Sequence, residues 1–580
     1  MPRGKLETLV NLKAVENELT KSGAVPVGRT TRSWAEVICG EPSSLRALSS
    51  VESEPDTVKT PALRTYRKIF AVLVQMNKVA AIFDFIREEV SDEDLPLMQY
   101  IPPEEVPGNP FQLRRKNDAT NPASCFIGWR NYHVRTFFGD QWAMVSPFFA
   151  RGEHRNVRHY QLADGDILPF TYDSRDESGP SGQGILERGG FGEVFKVRIH
   201  HDHHSFEGKN VLTLQDCFFA VKKLYSTHEA EWKSEIEILK RFSANPNPHL
   251  ISLLATYEKS GHVHLIFYWA DADLQKFWKD VMSSPARGMK TTGWVARQCL
   301  GIASGIVEIH RHLTNKSQSS DGQADTQGQK NDSLYGRHGD IKPRNILWFK
   351  DAPDPDGMGT LVITDFGIAE MNSKNSRSGK SNRNIKFSPT YCAPEAHVPG
   401  GEIRQSYDIW TLGCLYLEFL TWLLGGWKLV FQFAKLRQTA ATASSGTEAK
   451  LDRFFELVIG EDNIVTGAKV KPEVTDFIER LHSHPACTDF VHDFLDLISG
   501  DLLIIETRET PRFTSQQLYT KLRQIAKKIQ EFEAYGALPT PRGKWVGTES
   551  SDGNGFNSSN AGEVATSQVC SANFSTRATM

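Results

Sequence analysis

The chain has 580 residues, of which 39% are hydrophobic and 24% charged, with a formal net charge of -3. That length allows two or three domains and that composition supports a packed core. A near-neutral balance lacks the basic excess that nucleic-acid and membrane-surface proteins need, so neither is expected as a partner.

The eight cysteines, Cys39, Cys125, Cys217, Cys299, Cys392, Cys414, Cys487 and Cys570, are scattered without C-x-x-C spacing and form no disulfide or zinc framework. The first residues lack the apolar core of a secretory signal. Both observations point to a reducing, intracellular compartment, cytoplasmic or nuclear. Arg114-Arg115-Lys116 has the wording of part of a nuclear signal, but three basic residues are a common surface feature.

Residues 1–60 show little periodicity and are expected to form a flexible arm. From Thr65 to Val90, Ile69, Leu73, Met76, Ala80, Phe83 and Ile86 recur at three- and four-residue spacings, which predicts a helix face. The aromatic series Trp129, Phe137, Phe138, Trp142, Phe148 and Phe149 reads as core. Residues 61–175 are therefore expected to form a small, mainly helical domain of unassigned role. Asp173–Gly184 is a linker by composition, and alternating strands start at Ile185. Three polar stretches, His200–Asn210, Asn315–Gly336 and Asn372–Asn384, read as surface loops. The run Ile409–Phe433 is apolar, but Glu418, Lys428 and Gly425-Gly426 interrupt it, so a buried helix is expected and no membrane span. Residues 538–580, rich in Ser, Asn, Gly and Thr, are expected to be disordered.

The chemistry lies between Gly189 and Glu395. In Ile185–Val194, Gly189 and Gly192 occupy a turn between apolar strand segments, where backbone N–H groups can approach phosphate oxygens. A plain β-turn has the same wording. In Phe218–Leu224 an apolar strand carries Lys222, and an inward ammonium needs a partner. Glu235 offers one, beside the helix face marked by Trp232, Ile236 and Leu239. His338–Leu347 supplies Asp340, which can accept a proton from a hydroxyl, Lys342, which can neutralise a transferring phosphoryl group, and Asn345, an oxygen donor suited to Mg²⁺. The strand Leu361–Thr364 delivers Asp365, a second oxygen donor, followed by Phe366 and Gly367. Ser388–Glu395 and Tyr407–Gly413 complete the series.

This order of glycine-rich loop, A-V-K, helix glutamate, H-x-D-x-K-x-x-N, D-F-G, A-P-E and D-x-W-x-x-G resembles the signature set of eukaryotic protein kinases over residues 180–530. Gln141-Trp142 and the wording T-Y-C-A-P-E are also similar to kinases of filamentous fungi. The resemblance implies an α+β, bilobal fold, with an antiparallel-sheet N-lobe and a mainly helical C-lobe behind the helical domain. It implies ATP and Mg²⁺ as cofactors and proteins as substrates. It makes Phe267 the gatekeeper and Tyr268-Trp269-Ala270 the hinge, with Val194 and Ala220 above the adenine and Leu347 below it. It gives His338, Phe366, Gly367 and Asp408 supporting roles and pairs Glu395 with Arg512. Lys342-Pro343 after Asp340 resembles the serine/threonine class.

Two positions depart from the pattern. Glu187 stands where the first loop glycine is expected, and Gly339 replaces the arginine before the catalytic aspartate. Ser373, Ser376, Ser378, Ser381 and Ser388 are candidate phosphate acceptors among the basic residues Lys374, Arg377, Lys380, Arg383 and Lys386. An ATP-binding scaffold without catalysis is the competing class, and Glu187 alone favours it. A small-molecule kinase is disfavoured by the intact Ala-Pro-Glu. The cluster His200, His201, Asp202, His203 and His204 reads as a solvated loop more readily than as a metal site.

Overall fold

The computed structural model describes residues 2–23, 25–41, 64–100, 111–118, 120–152, 156–176, 187–188, 192–206, 217–225, 229–244, 247–314, 336–365, 388–442, 448–462 and 464–545. Gly189, Phe366, Gly367 and the serines between Ser373 and Ser381 lie outside them, as do residues 42–63 and 546–580.

The arm expected over residues 1–60 is instead helical where described. Helices span Arg3–Leu9, Leu12–Ser22 and Thr31–Cys39. Asn11 and Thr30 cap the second and third, accepting from Ala14 N (3.0 Å) and Ser33 N (3.1 Å). Gly23 and Gly40, both at positive φ, close them. Val15, Leu19 and Ile38 are fully buried, in one cluster with Ile69, Leu73 and Phe85. Each helix is too short for its apolar stripe to register as a period, so the packing is tertiary in origin. The Arg67 guanidinium ties the segments together by donating to Cys39 O (3.0 Å) and Val10 O (2.6 Å).

The single helix expected over Thr65–Val90 is broken into Arg67–Gln75 and Ile82–Arg87 with a 3₁₀ turn, Val79–Ala81, between them. Asn77 at φ +54° makes the break. The register slips, so Val79, Ile82 and Phe85 are buried while Ala80 faces solvent.

The helical block ends earlier than residue 175. Strands Arg158–Gln161 and Phe170–Asp173 join the N-lobe sheet, in the order Arg158–Gln161, Ala255–Lys259, His262–Tyr268, Phe219–Leu224, Gly192–Ile199, Phe170–Asp173, with Glu187–Arg188 paired onto Gly192–Ile199. The pair between Arg158–Gln161 and Ala255–Lys259 is parallel, so the sheet is mixed rather than wholly antiparallel. Lys259 Nζ holds the incoming chain through Ala163 O, Asp164 O and Asp166 O at 2.7–3.1 Å.

Helices Met289–Thr314, Ser406–Arg437, Pro472–His482, Asp489–Leu497 and Ser515–Glu531 build the C-lobe. Trp278, Trp294, Trp410 and Trp422 are at most 1% exposed there. Burying about 150–250 Å² each, they contribute about 4–6 kcal/mol apiece by area. The helix Ser406–Arg437 is long and apolar enough to cross a membrane, yet 89% of its apolar window is buried inside the protein. The described part of the tail is not disordered as expected. Residues 538–545 pack as a strap, with Thr540 N donating to Cys487 O (2.7 Å), Arg542 N donating to His482 O (2.8 Å) and Trp545 set against His484.

Candidate active site

Register on the sheet aligns the side chains expected around a nucleotide. Val194 and Leu265 flank Lys222, and Phe267 and Lys196 flank Ala220. Neighbours directly opposite share a face, so these six line one side of the sheet. Phe267 and Leu347, the latter on strand Ile346–Phe349 of the C-lobe, are both half-buried against the same apolar cluster. Trp269 N donates to Phe218 O at 3.1 Å, fixing the start of the expected hinge. A Cβ on Gly192 would come within 2.4 Å of Lys223 O, so strand packing demands this glycine whatever else the loop does. Glu187 opposes Val194 in the ladder.

The ion pair described for Lys222 runs to Asp365, Nζ to Oδ1, at 3.3 Å. Glu235 lies on helix Glu229–Ala244, but its side chain is outside the described residues. Asp365 has φ +68°, a conformation that costs a non-glycine residue about 1–3 kcal/mol. Lys222 holds its carboxyl below the usual range against the opposing effect of burial, with smaller help from His338 and Lys342.

The loop carrying Asp340 is suspended from Asp408, which is fully buried. Its carboxylate accepts from His338 N (2.7 Å) and Gly339 N (2.8 Å) and bonds His310 Nε2 (2.8 Å). Burial alone would raise this carboxyl, but His310, His338 and the Gly339 amide outweigh it and keep it below its ordinary value. His338 Nε2–H donates to Thr364 O (3.0 Å), which leaves Nδ1 to accept from Asp340 N (3.2 Å). Gly339 has φ +84°, where a side chain is strained, so the missing arginine coincides with a backbone turn that glycine adopts freely.

Asp340 itself is 7% exposed. Lys342 Nζ donates to Asp340 Oδ2 (2.7 Å) and to Ser388 Oγ (2.7 Å), and Ser388 Oγ donates to Asp340 Oδ1 (2.7 Å). Asn345 Nδ2 donates to Asp340 O (2.8 Å) and Oδ2 (3.0 Å). The structure thus brings Asp340, Lys342 and Asn345 together and adds Ser388, which the sequence reading took for a phosphate acceptor. Its hydroxyl, on a half-buried residue, links the two groups. A serine seven residues before Glu395 was the available signal.

These residues fit a hard divalent cation. Both hydrogen bonds made by the Asn345 amide nitrogen go to Asp340, leaving Oδ1 with no partner among the described residues. Thr364 N donates to Asn345 O (3.0 Å), tying Asn345 to the residue before Asp365. Two oxygen donors of the kind Mg²⁺ prefers are therefore held on adjoining segments.

Glu395 and Arg512 form a bidentate pair at 2.8 and 2.9 Å. Arg512 also donates to Ile504 O (3.0 Å) and Ser406 O (3.2 Å) and lies over the Trp410 ring. In the histidine cluster, His203 is buried with Nδ1 near Pro147 O (3.0 Å) and His204 stacks on Phe206, so only His200, His201 and Asp202 converge.

A two-lobed α+β architecture with a suspended Asp–Lys–Asn loop facing a Lys–Asp pair is the arrangement of a protein kinase domain. The family model of the protein kinase domain matches residues 335–486. The chain is 24% identical over 345 residues to cyclin-dependent kinase-like 4 of Homo sapiens, covering 58% of this chain and 76% of that protein. It is also 24% identical over 243 residues to cyclin-dependent kinase D-1 of Arabidopsis thaliana, covering 41% of this chain and 47% of that one. Serine/threonine-protein kinase RUNKEL of Arabidopsis thaliana is 24% identical over 217 residues, 13% of its length. Over these stretches the chain is similar to eukaryotic protein kinases, and residues 335–486 carry the match to the family's domain.

Proposed function

We propose that this protein is an active protein serine/threonine kinase that transfers the γ-phosphoryl group of Mg-ATP to hydroxyls of protein substrates. The observation that carries the reading is the Asp340 carboxylate, held by Lys342, Ser388 and Asn345 within 2.7–3.0 Å. In this role Asp340 orients the acceptor hydroxyl and takes its proton, while Lys342 balances charge on the phosphoryl oxygens. Lys222 anchors the nucleotide phosphates, and Asn345 and Asp365 hold the metal. Held by Asn345 and Asp365, Mg²⁺ would supply positive charge to neutralise the phosphate oxygens. Val194, Ala220, Phe267, Trp269 and Leu347 enclose the adenine. Serine/threonine specificity rests on Lys342-Pro343 and on the printed name of one relative. Among the described residues seven cysteines are free, six of them buried, which agrees with an intracellular compartment.

An ATP-binding scaffold is the second reading, favoured by Glu187 in the loop and by a Lys222 already engaged with Asp365. Incubating the full chain with γ-labelled ATP, Mg²⁺ and generic protein substrates separates the two. Phosphoserine or phosphothreonine formed by wild type and lost in Asp365→Ala supports the kinase. Nucleotide bound equally with and without Mg²⁺, with no transfer, supports the scaffold.

A further inference from the structure

The helix Ser406–Arg437 does not run straight. Gly426, at φ +67° and ψ -168°, turns it, and a Cβ there would meet Ser283 O at 2.3 Å. Trp427 N donates to the same Ser283 O (2.8 Å), which sets the direction of the second half. Arg437 then clamps the far end. Its guanidinium lies 4.2 Å from the ring centres of both Phe433 and Phe454 and donates to Glu418 Oε1 (2.8 Å) in the first half and Asp452 Oδ1 (2.9 Å) in the following hairpin.

Between this second half and the loop of Asp340 lies a cavity of about 470 Å³. Trp278, Trp427, Val430, Phe431 and Ala434 give it an apolar wall, and Phe431 is 49% exposed. Lys342 and Ser388 line its other side, and each is 2.7 Å from the Asp340 carboxylate. The volume falls in the lower half of the range of about 300–1,000 Å³ for small-ligand pockets. It is room for one large side chain and not for a folded partner.

The charges narrow the occupant. The acidic groups of the lining are Glu418 and Asp452, and Arg437 engages both. Tyr391 OH donates to the other Glu418 oxygen at 2.8 Å. A lysine or arginine entering the cavity would find both carboxylates engaged and would meet Lys342 and Arg344. An aromatic or long aliphatic side chain would cover the exposed face of Phe431 and leave every ion pair intact.

We propose that this cavity is a specificity pocket that receives one large apolar side chain of the substrate peptide and turns away lysine and arginine. An extended peptide advances about 3.3 Å per residue, so the recognised residue lies within about three positions of the phosphorylated hydroxyl. The inference rests on the kinase reading and names the class of peptide that reading leaves open.

The test uses the full chain with Mg-ATP and a peptide set in which each position flanking a serine is varied among Ala, Leu, Phe, Glu and Arg. Binding of fluorescein-labelled peptides is measured alongside turnover. At one position, Phe or Leu should exceed Ala by about tenfold in kcat/KM and in affinity, and Arg should fall below Ala. Ala434→Phe, which fills the cavity, should reduce the Phe-to-Ala ratio to within about twofold. Phe431→Ala, which removes the wall without adding bulk, should lower the same ratio and stands in should the first variant fail to fold. Turnover without any apolar preference overturns the pocket and leaves the kinase reading intact. Selective binding without turnover of any peptide overturns the kinase reading and supports the pocket.

Discussion

Replacing Glu395 tests how the segment before helix Ser406–Arg437 is held. The Arg512 side chain is fully buried, and two of its four hydrogen bonds go to Glu395. In Glu395→Ala the guanidinium stays buried with its main counter-charge gone, which typically costs about 3–5 kcal/mol. Glu506 Oε2, 3.9 Å from Arg512 Nη1, offers partial compensation, which puts the expected loss near the lower end. About 3 kcal/mol is a large share of a total of about 5–15 kcal/mol. At about 2–4 °C per kcal/mol for a domain of this class, the melting temperature should fall by about 6–12 °C. Glu395→Gln keeps one acceptor and should lose about half as much. Glu395→Leu combined with Arg512→Met, which removes both charges, should recover part of the loss. Thermal melts followed by near-ultraviolet circular dichroism read all three. A melting point for Glu395→Ala within 1 °C of wild type, or a double variant worse than the single, would refute the reasoning.

Two further predictions concern pH and phosphorylation. His264 is 7% exposed and stacks on Tyr257, and burial, with Lys223 and Arg175 nearby, pushes its pKa down to about 4. The unfolded state, titrating near 6.5, then binds more protons between those values, so stability is complete above pH ~6.5 and declines toward pH ~4 by up to about 3 kcal/mol. His264→Phe should flatten that decline in urea titrations at pH 7 and pH 4.5, and an unchanged slope would contradict it. Gly339 carries no cation to pair with a phosphate, so enzyme stripped of phosphate over Asp365–Glu395, verified by mass spectrometry, should keep most of its turnover. A loss of about tenfold that rephosphorylation restores would point to another basic residue in that role.

The residues of the candidate site that the structure brings together were legible because the chemistry expected of them demands particular side chains at short, fixed spacings. Asp340, Lys342 and Asn345 fall within six residues of one another. What holds them was less legible, since it comes from far away. His310 and Ser515 reach Asp408 through a chain of bonds spanning more than 200 residues, and no local pattern announces that. The bridging role of Ser388 was not legible because a hydroxyl in a basic segment looks the same whether or not it links Asp340 and Lys342. The helices within residues 2–41 and the strands at 158–161 and 170–173 gain their stability from the surfaces they cover, so their own sequences carry little sign of it. The boundary at residue 175 was drawn by composition, whereas the chain had already joined the sheet.

The central claim is that Asp340 handles the acceptor hydroxyl and not the nucleotide. Asp340→Asn in the full chain, assayed with γ-labelled ATP, Mg²⁺ and a peptide that wild type phosphorylates, measures it most directly. Turnover should drop by about 10²–10⁴-fold, while Mg-ATP affinity, followed by fluorescence in the same samples, should change less than twofold. Turnover close to wild type would contradict the account.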